Sequence, residues 1–289
     1  MIKSRSSKVG DWIIAFICLL VIFVCVLPML NVLARSLSSS DALIKGEVML
    51  LPKGFNFNAY KYVLEDSRTT WAIAWTAILT AICTVVSMVM TTLCAYPLIY
   101  DNLRGRKIIN GFILFTMYFN AGIIPNYLLL RDLHMLNKPI VLIIPSCLSV
   151  FNVIIMRSFL YNVPDSLRES AEIDGAGPIR TLISIYLPLS TPVIATLSLF
   201  YAVGRWNGFS DALMYMNNRV YYPIQLLLYN IINSLSQIDT SSMGQDTPIG
   251  LDETLKAATV MVATIPILLV YPWLQRYFIS GVTLGAVKG

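Results

Sequence analysis

From Trp12 to Ala34, and again from Trp71 to Tyr100, the chain carries no Asp, Glu, Lys or Arg. A helix rises about 1.5 Å per residue, so either run is long enough to cross a hydrocarbon core roughly 30 Å thick. Inside that core no water pairs with free backbone N–H and C=O groups, which favours helices that satisfy their own backbone. Three more uncharged runs follow. One covers Ile108 to Leu130, interrupted by Asn120-Ala121-Gly122 and Pro125. The next covers Pro139 to Met156, with Pro145 and Asn152 inside it, and the last Ala257 to Leu274, broken by Pro266 and Pro272. Leu187 to Trp206 adds another apolar run, charged only at Arg205. The expected fold class is all-α, a polytopic membrane protein of about six transmembrane helices in a single domain over residues 1–289. The first run has a rival reading as a secretory signal, because Pro28 and Val32-Leu33-Ala34 resemble a cleavage region. Its length exceeds a signal's apolar core and favours a retained helix.

Composition agrees. Of the 289 residues 56% are hydrophobic and 13% charged, with a mean hydropathy of +0.69, too apolar for a soluble globular domain. In a soluble protein the net charge of +5 would suggest nucleic acid; here it fits basic residues flanking spans on the cytoplasmic side. Lys3, Arg5 and Lys8 precede the first run, and Arg104, Arg106 and Lys107 follow the second. Both clusters then lie inside the cell, as do both termini, while 35–70 is external. The partner at the surface of the spans is membrane lipid, not nucleic acid. Cys18, Cys25, Cys83, Cys94 and Cys147 are odd in number and all lie in apolar runs, which argues against disulfides or a metal site. The lone His134 excludes a Ser-His-Asp set in its loop, and no Gly is followed by Lys, which excludes a P-loop. The chain is therefore expected to be neither an enzyme nor a cofactor binder, and an ATP-driven role would borrow its motor from another chain.

One stretch between spans is polar. Over 163–189, Pro164 suits a first helical turn, Ser166 and Glu169 have capping-box spacing, and Gly175 suits the left-handed residue that ends a helix. Gly177 and Pro178 restart the chain into a second short helix, where Ile179, Leu182, Ile183 and Tyr186 recur on one face. The pair reads either as a knob for docking into another protein or as an amphipathic loop resting on the membrane. A further run, 223–236, places Ile224, Leu227, Leu228, Ile231, Ile232 and Leu235 on one face of a helix begun by Pro223. It is expected to be an external amphipathic helix and not a span.

Within 163–189, Glu169-Ser170-Ala171, then Gly175, then Ile185-Tyr186-Leu187-Pro188 resembles the EAA signature of ABC-importer permeases, departing from it at Ser170. Asp174-Gly175-Ala176, Leu187-Pro188-Leu189 with Pro192, Trp206-Asn207 and the end Gly285-Ala286-Val287-Lys288-Gly289 resemble the maltose-type carbohydrate permeases. Tyr201 to Asn207 is similar to the subgroup serving lipoprotein-anchored oligosaccharide-binding proteins of Gram-positive bacteria. The resemblance, which covers essentially the whole chain, implies a type I importer permease for a carbohydrate, working by alternating access. It implies a second homologous permease, two cytoplasmic ATPase subunits and an extracytoplasmic sugar-binding lipoprotein as partners. It also implies that Glu169, Ala171, Asp174, Gly175, Leu187 and Pro188 couple to the ATPase and that Gly285, Lys288 and Gly289 contact it. A gradient-driven transporter or channel is the alternative, although no run contains an Asp or Glu to serve as an ion site.

Polar residues inside spans are candidate cargo contacts: Asn120, Asn152, Arg205, Trp206 and Asn207. Asparagine amides hydrogen-bond sugar hydroxyls, and an indole stacks on a pyranose face. Each has an ordinary alternative: asparagines tie membrane helices together, and a terminal Arg or Trp anchors at the lipid interface. The topology is checked by single-cysteine labelling of intact cells with an impermeant reagent. Positions 53 and 246 are expected to react, and positions 169 and 288 to stay protected; strong labelling at either of the latter two would overturn the orientation.

Overall fold

The computed structural model describes residues 5–241, 253–269 and 272. Helices follow in the order α1 (Arg5–Ser36), α2 (Ser40–Ile44), α3 (Asn58–Glu65), α4 (Ser67–Ala95), α5 (Arg106–Tyr118), α6 (Ile123–Asp132) and α7 (Val150–Tyr161). Then come α8 (Asp165–Ile173), α9 (Pro178–Thr181), α10 (Leu187–Leu189), α11 (Thr191–Asn207), α12 (Ser210–Tyr215), α13 (Ile224–Ser241) and α14 (253–269). No strand occurs among the described residues.

The chain divides into two compact units, Met1–Thr70 with Leu227–Ile265, and Trp71–Leu226 with Pro266–Gly289. In the first unit α1 exposes Trp12, Phe16, Leu19 and Phe23, the apolar surface that lipid or a neighbouring helix covers. Its far end is laced down: Arg35 pairs with Glu253, and Ser36 Oγ lies 2.7 Å from Tyr60 OH. The Lys53 N–H donates to Ser38 Oγ at 3.1 Å and the Asn56 N–H to Leu37 O at 3.1 Å, which folds the segment before α3 back onto α1.

In the second unit α4, α7 and α11 enclose a core of Met88, Ala95, Tyr96, Val153, Met156, Leu160, Leu182, Tyr186, Val193 and Leu197. A second cluster gathers Leu79, Cys83, Leu130, Val141, Leu142, Ala212, Met216 and Leu226. Burying such side chains contributes roughly 1.5–3 kcal/mol each in water. In lipid the same contacts act through packing density, because the surroundings are equally apolar.

Among the described residues, two helices are each long and apolar enough to cross a membrane, Gly10–Ser36 and Ser67–Ile99, and up to four if each bent pair counts as one span. The third expected span is such a pair: α5 and α6 meet at 113°, broken where the sequence reads Asn120-Ala121-Gly122. Gly122 has φ +91° and ψ 175°, a conformation that only glycine adopts freely. The fourth span is shorter than the expected 139–156. Pro139–Leu142 forms a 3₁₀ turn and helix resumes only at Val150, so α7 with 12 residues covers about 18 Å. The fifth begins after an 84° bend at Ser190 rather than at Leu187. Of the expected sixth span, 257–269 lies within the described helix 253–269, and the tail residues Gly285, Lys288 and Gly289 lie outside the described residues. The amphipathic helix is longer than expected, running to Ser241, with Pro223 just ahead of its first residue.

Two expectations for 163–189 are corrected. The capping box does not form: α8 starts at Asp165 after Pro164, and Ser166 sits one residue inside the helix, where it cannot cap. The single apolar face also fails. Leu182–Tyr186 is a π-helix, with the Leu187 N–H reaching back to Leu182 O. Pro188 has no N–H to donate and its ring crowds the carbonyl four residues back, so widening the helix here relieves a conflict that α-geometry would keep. The wider turn leaves Leu182 and Tyr186 buried and turns Ile179 and Ile183 outward, 73% and 58% exposed.

Gly175 is left-handed as expected, with φ +76°. Its N–H donates to Glu172 O at 3.0 Å and the Ala176 N–H to Ala171 O at 2.9 Å, the paired bonds of a Schellman end. A Cβ on Gly175 would meet nothing within 4 Å, so substitution is opposed by backbone conformation alone. Gly175→Val is expected to cost about 1–2 kcal/mol and Gly175→Asn clearly less, because asparagine tolerates this region. Thermal unfolding of the detergent-solubilised protein should therefore rank glycine above asparagine and asparagine above valine; equal midpoints would remove the constraint.

Candidate functional site

Two surfaces of the second unit carry the candidate residues. On α8 Glu169 and, at its end, Asp174 are exposed, Ala171 is half-buried, and no residue of the helix is buried. Arg168 is gripped by its own helix, donating to Asp165 at 3.3 Å and to Glu172 at 3.1 Å. Partial desolvation acts to lower the pKa of this guanidinium, but the two carboxylates outweigh it and hold the value above the ordinary one. Leu167, Ile173, Ile179 and Ile183 are exposed among these charges, Ile173 to 86%. Leu187 is half-buried and Pro188 exposed on the short helix that follows. The Schellman end and the Gly177-Pro178 restart therefore present α8 and α9 as a charged ridge with apolar points.

The other surface is a cavity of about 660 Å3. Its wall combines hydroxyls (Ser87, Ser146, Ser149, Tyr201), amides (Asn152, Asn207) and rings (Phe151, Phe200, Phe209), with Arg205 and Asp211. Of the five candidate cargo residues the structure brings Asn152, Arg205 and Asn207 together here. Asn120 is elsewhere, exposed at the α5–α6 break, where its Oδ1 accepts the Gly122 N–H at 2.9 Å. Trp206 is half-buried and does not line the cavity.

Arg205 neither snorkels to a surface nor stands free. Its side chain is 7% exposed. Nη2 donates to Asp211 Oδ1 at 3.0 Å and to Gly208 O at 3.2 Å, while Nη1 donates to Asp211 Oδ2 and, at 3.2 Å, to Leu142 O. The guanidinium thus forms a fork on one carboxylate and bonds two backbone carbonyls outside the helix ladder, that of Gly208 and that of Leu142, which also accepts from Ser146 Oγ at 3.2 Å. Asp211, Ser149 and Tyr201 were missed by sequence reasoning. Asp211 lies outside the apolar runs, and the others look like ordinary span residues until Tyr201 OH is seen to accept the Ser149 N–H at 3.1 Å. A polar residue spaced six from Arg205 on the far side of Gly208 was the available signal.

Removing one partner of such a pair leaves the other charge poorly solvated, at about 3–5 kcal/mol for full burial. Asp211 is 29% exposed on its side chain, so the loss should fall at the low end of that range. Arg205→Gln and Asp211→Asn are each expected to lower the folded, membrane-inserted fraction. Arg205→Lys should only partly restore it, because an ammonium cannot reproduce the fork. Size-exclusion profiles of the solubilised variants check this, and a wild-type profile for Arg205→Gln would contradict a structural role for the pair.

Comparison with known proteins agrees with this geometry. Residues 87–284 match the family described as "Binding-protein-dependent transport system inner membrane component". The polygalacturonan/rhamnogalacturonan transport system permease protein YtcP of Bacillus subtilis (strain 168) is 39% identical over 286 residues, covering 98% of this chain and 100% of the relative. Protein LplC of the same organism is 37% identical, covering 92% of this chain and 90% of that protein. Among solved structures, a chain of a bacterial ABC transporter involved in the import of the acidic polysaccharide alginate is 31% identical. It has a TM-score of 0.85, covering 96% of this chain and 99% of the other. With exposed charged helices at one place and a polar cavity among membrane helices at another, the chain belongs to the family of binding-protein-dependent transport system inner membrane components.

Proposed function

We propose that this protein is the permease subunit of an ATP-driven importer for an oligosaccharide. It supplies half of the translocation pathway and pairs with a second homologous permease, two cytoplasmic ATPase subunits and an extracytoplasmic sugar-binding protein. The observation that carries the proposal is the cavity of hydroxyls, amides and phenyl rings, built on the same α11 whose other end leads through Ser190 into the charged stretch. Hydroxyls and amides suit the many donors and acceptors of a sugar, and rings suit its C–H faces. The sugars in the relatives' names agree in class.

Transport proceeds by alternating access. The ATPase pair closes on ATP, grips the α8–α10 stretch through Glu169, Ala171, Asp174, Leu187 and Pro188, and moves the helices that wall the cavity. Gly175 sets the angle between the two short helices. The tail Gly285–Gly289 reaches the ATPase pair, and both termini lie in the cytoplasm. Because Arg205 is held by Asp211, this chain's wall offers cargo hydroxyl, amide and ring contacts and no uncompensated cation among its lining residues.

The test is reconstitution of the permease with the ATPase, second permease and binding protein of its importer. Oligosaccharides from digests of polygalacturonan, rhamnogalacturonan and alginate serve as probes. ATP hydrolysis is expected to rise severalfold when binding protein and a matching oligosaccharide are both present, and Glu169→Lys should abolish the rise by weakening ATPase association. Uptake that continues without any ATPase subunit would overturn the proposal in favour of a gradient-driven carrier.

A further inference from the structure

Helix α8 has no buried residue, yet a force applied to it must reach the membrane helices. Among the described residues, the ion pairs of its side chains stay within the helix, from Arg168 to Asp165 and Glu172. One side-chain contact that leaves the helix is charge on ring: Arg168 Cζ lies 5.3 Å from the centre of the Tyr100 ring. Tyr100 OH pairs with Tyr96 OH, and Tyr96 OH donates to Pro178 O at 3.1 Å. The same carbonyl accepts the Leu182 N–H, so the tyrosine grips the first turn of the bent segment that continues into α11. Edge-on ring contacts brace the chain, Tyr96 to Tyr100 at 5.4 Å and Tyr96 to Tyr186 at 5.2 Å.

Each link is stiff for a physical reason. Two carboxylates one helical turn either side hold the guanidinium, so its direction follows α8. A tyrosine has only two side-chain torsions, and Tyr96 and Tyr186 are buried at 5% and 2% exposure, where neither ring has room to swing. We propose that Arg168, Tyr100 and Tyr96 are positioning residues, a strut that carries displacement of α8 to the Pro178 end of the bent segment and to the end of α4. The proposal rests on the docking reading above. Packing alone would make the tyrosine rings matter and their oxygens incidental; a strut needs the Tyr96 oxygen, which is the atom that reaches Pro178.

The complete importer, in lipid nanodiscs, tests it without any cargo. In a cysteine-free background Ser210→Cys places one thiol at the cavity wall, and its maleimide labelling rate is measured with and without MgATP and vanadate. Trapping is expected to change the rate severalfold in the background. With Tyr96→Phe the ATPase subunits should remain bound and hydrolyse ATP, while the trapping-dependent change falls to less than half. Arg168→Leu should behave the same, and Arg168→Lys, which keeps a cation beside the ring, should recover part of the response. Should Tyr96→Phe fail to reach the membrane, Tyr100→Phe removes the other linked oxygen and carries the same expectation. A background-sized change in the phenylalanine variant, with ATPase bound, would overturn the strut and leave the docking reading standing. Loss of ATPase from the unaltered permease, or no response to trapping in the background, would instead remove the docking reading and the strut with it.

Discussion

Arg205 bonds the carbonyls of Leu142 and Gly208 with one guanidinium held against Asp211, and the same kind of closure recurs at several helix breaks among the described residues. In hydrocarbon an unpaired N–H or C=O costs several kcal/mol, so each break needs a side chain to take over from the helix ladder. Tyr201 OH accepts the Ser149 N–H at the start of α7, and Thr76 Oγ1 accepts the Ile224 N–H at 2.8 Å. The indoles of Trp71 and Trp75 donate to the carbonyls of Val220 and Tyr221, at 2.8 and 2.9 Å. These residues lie far from their partners in sequence, which is how a second unit with several broken helices keeps a defined shape.

The arrangement has a functional consequence. Non-helical backbone at membrane depth is tolerated where it is buried in protein or lines a cavity. The 139–149 segment does the latter, giving Ser146 and Ser149 to the cavity wall instead of continuing a helix. A straight fourth span would have filled that side with Ile and Leu side chains. The break exchanges apolar packing for hydroxyls, and the Arg205–Asp211 fork holds the opened carbonyl at Leu142 in place. A buried ion pair of this kind is weak evidence for net stability and better evidence for a fixed geometry.

At the other end of the same unit the π-turn at Leu182–Tyr186 performs a related task. Pro188 would have broken an α-helix here; the wider turn keeps the chain helical while turning Ile179 and Ile183 out and Tyr186 in. The buried ring meets Tyr96, and the two isoleucines remain exposed. The segment thereby separates a face that packs from a face that stays exposed.

The first two spans, the charged stretch and its left-handed glycine were legible in the sequence, because each depends on local physics. Span length follows from uncharged runs, and the end of α8 from Gly175 having no Cβ. The EAA-like residues could be singled out for the same reason: their order along the chain is itself the signal. Asn152, Arg205 and Asn207 were also legible as polar residues in apolar surroundings. What they do was not. Whether Arg205 reached lipid, cargo or a carboxylate turned on where α12 returns, a matter of long-range packing that brings Asp211 and Leu142 to one guanidinium. The broken fourth span and the 113° turn after α5 were likewise decided in three dimensions, since an apolar run reads the same whether it continues as helix or turns along a cavity. Local sequence determines where the chain can leave water; only tertiary contacts decide where its helices can afford to stop, because the freed backbone groups must find partners from distant segments.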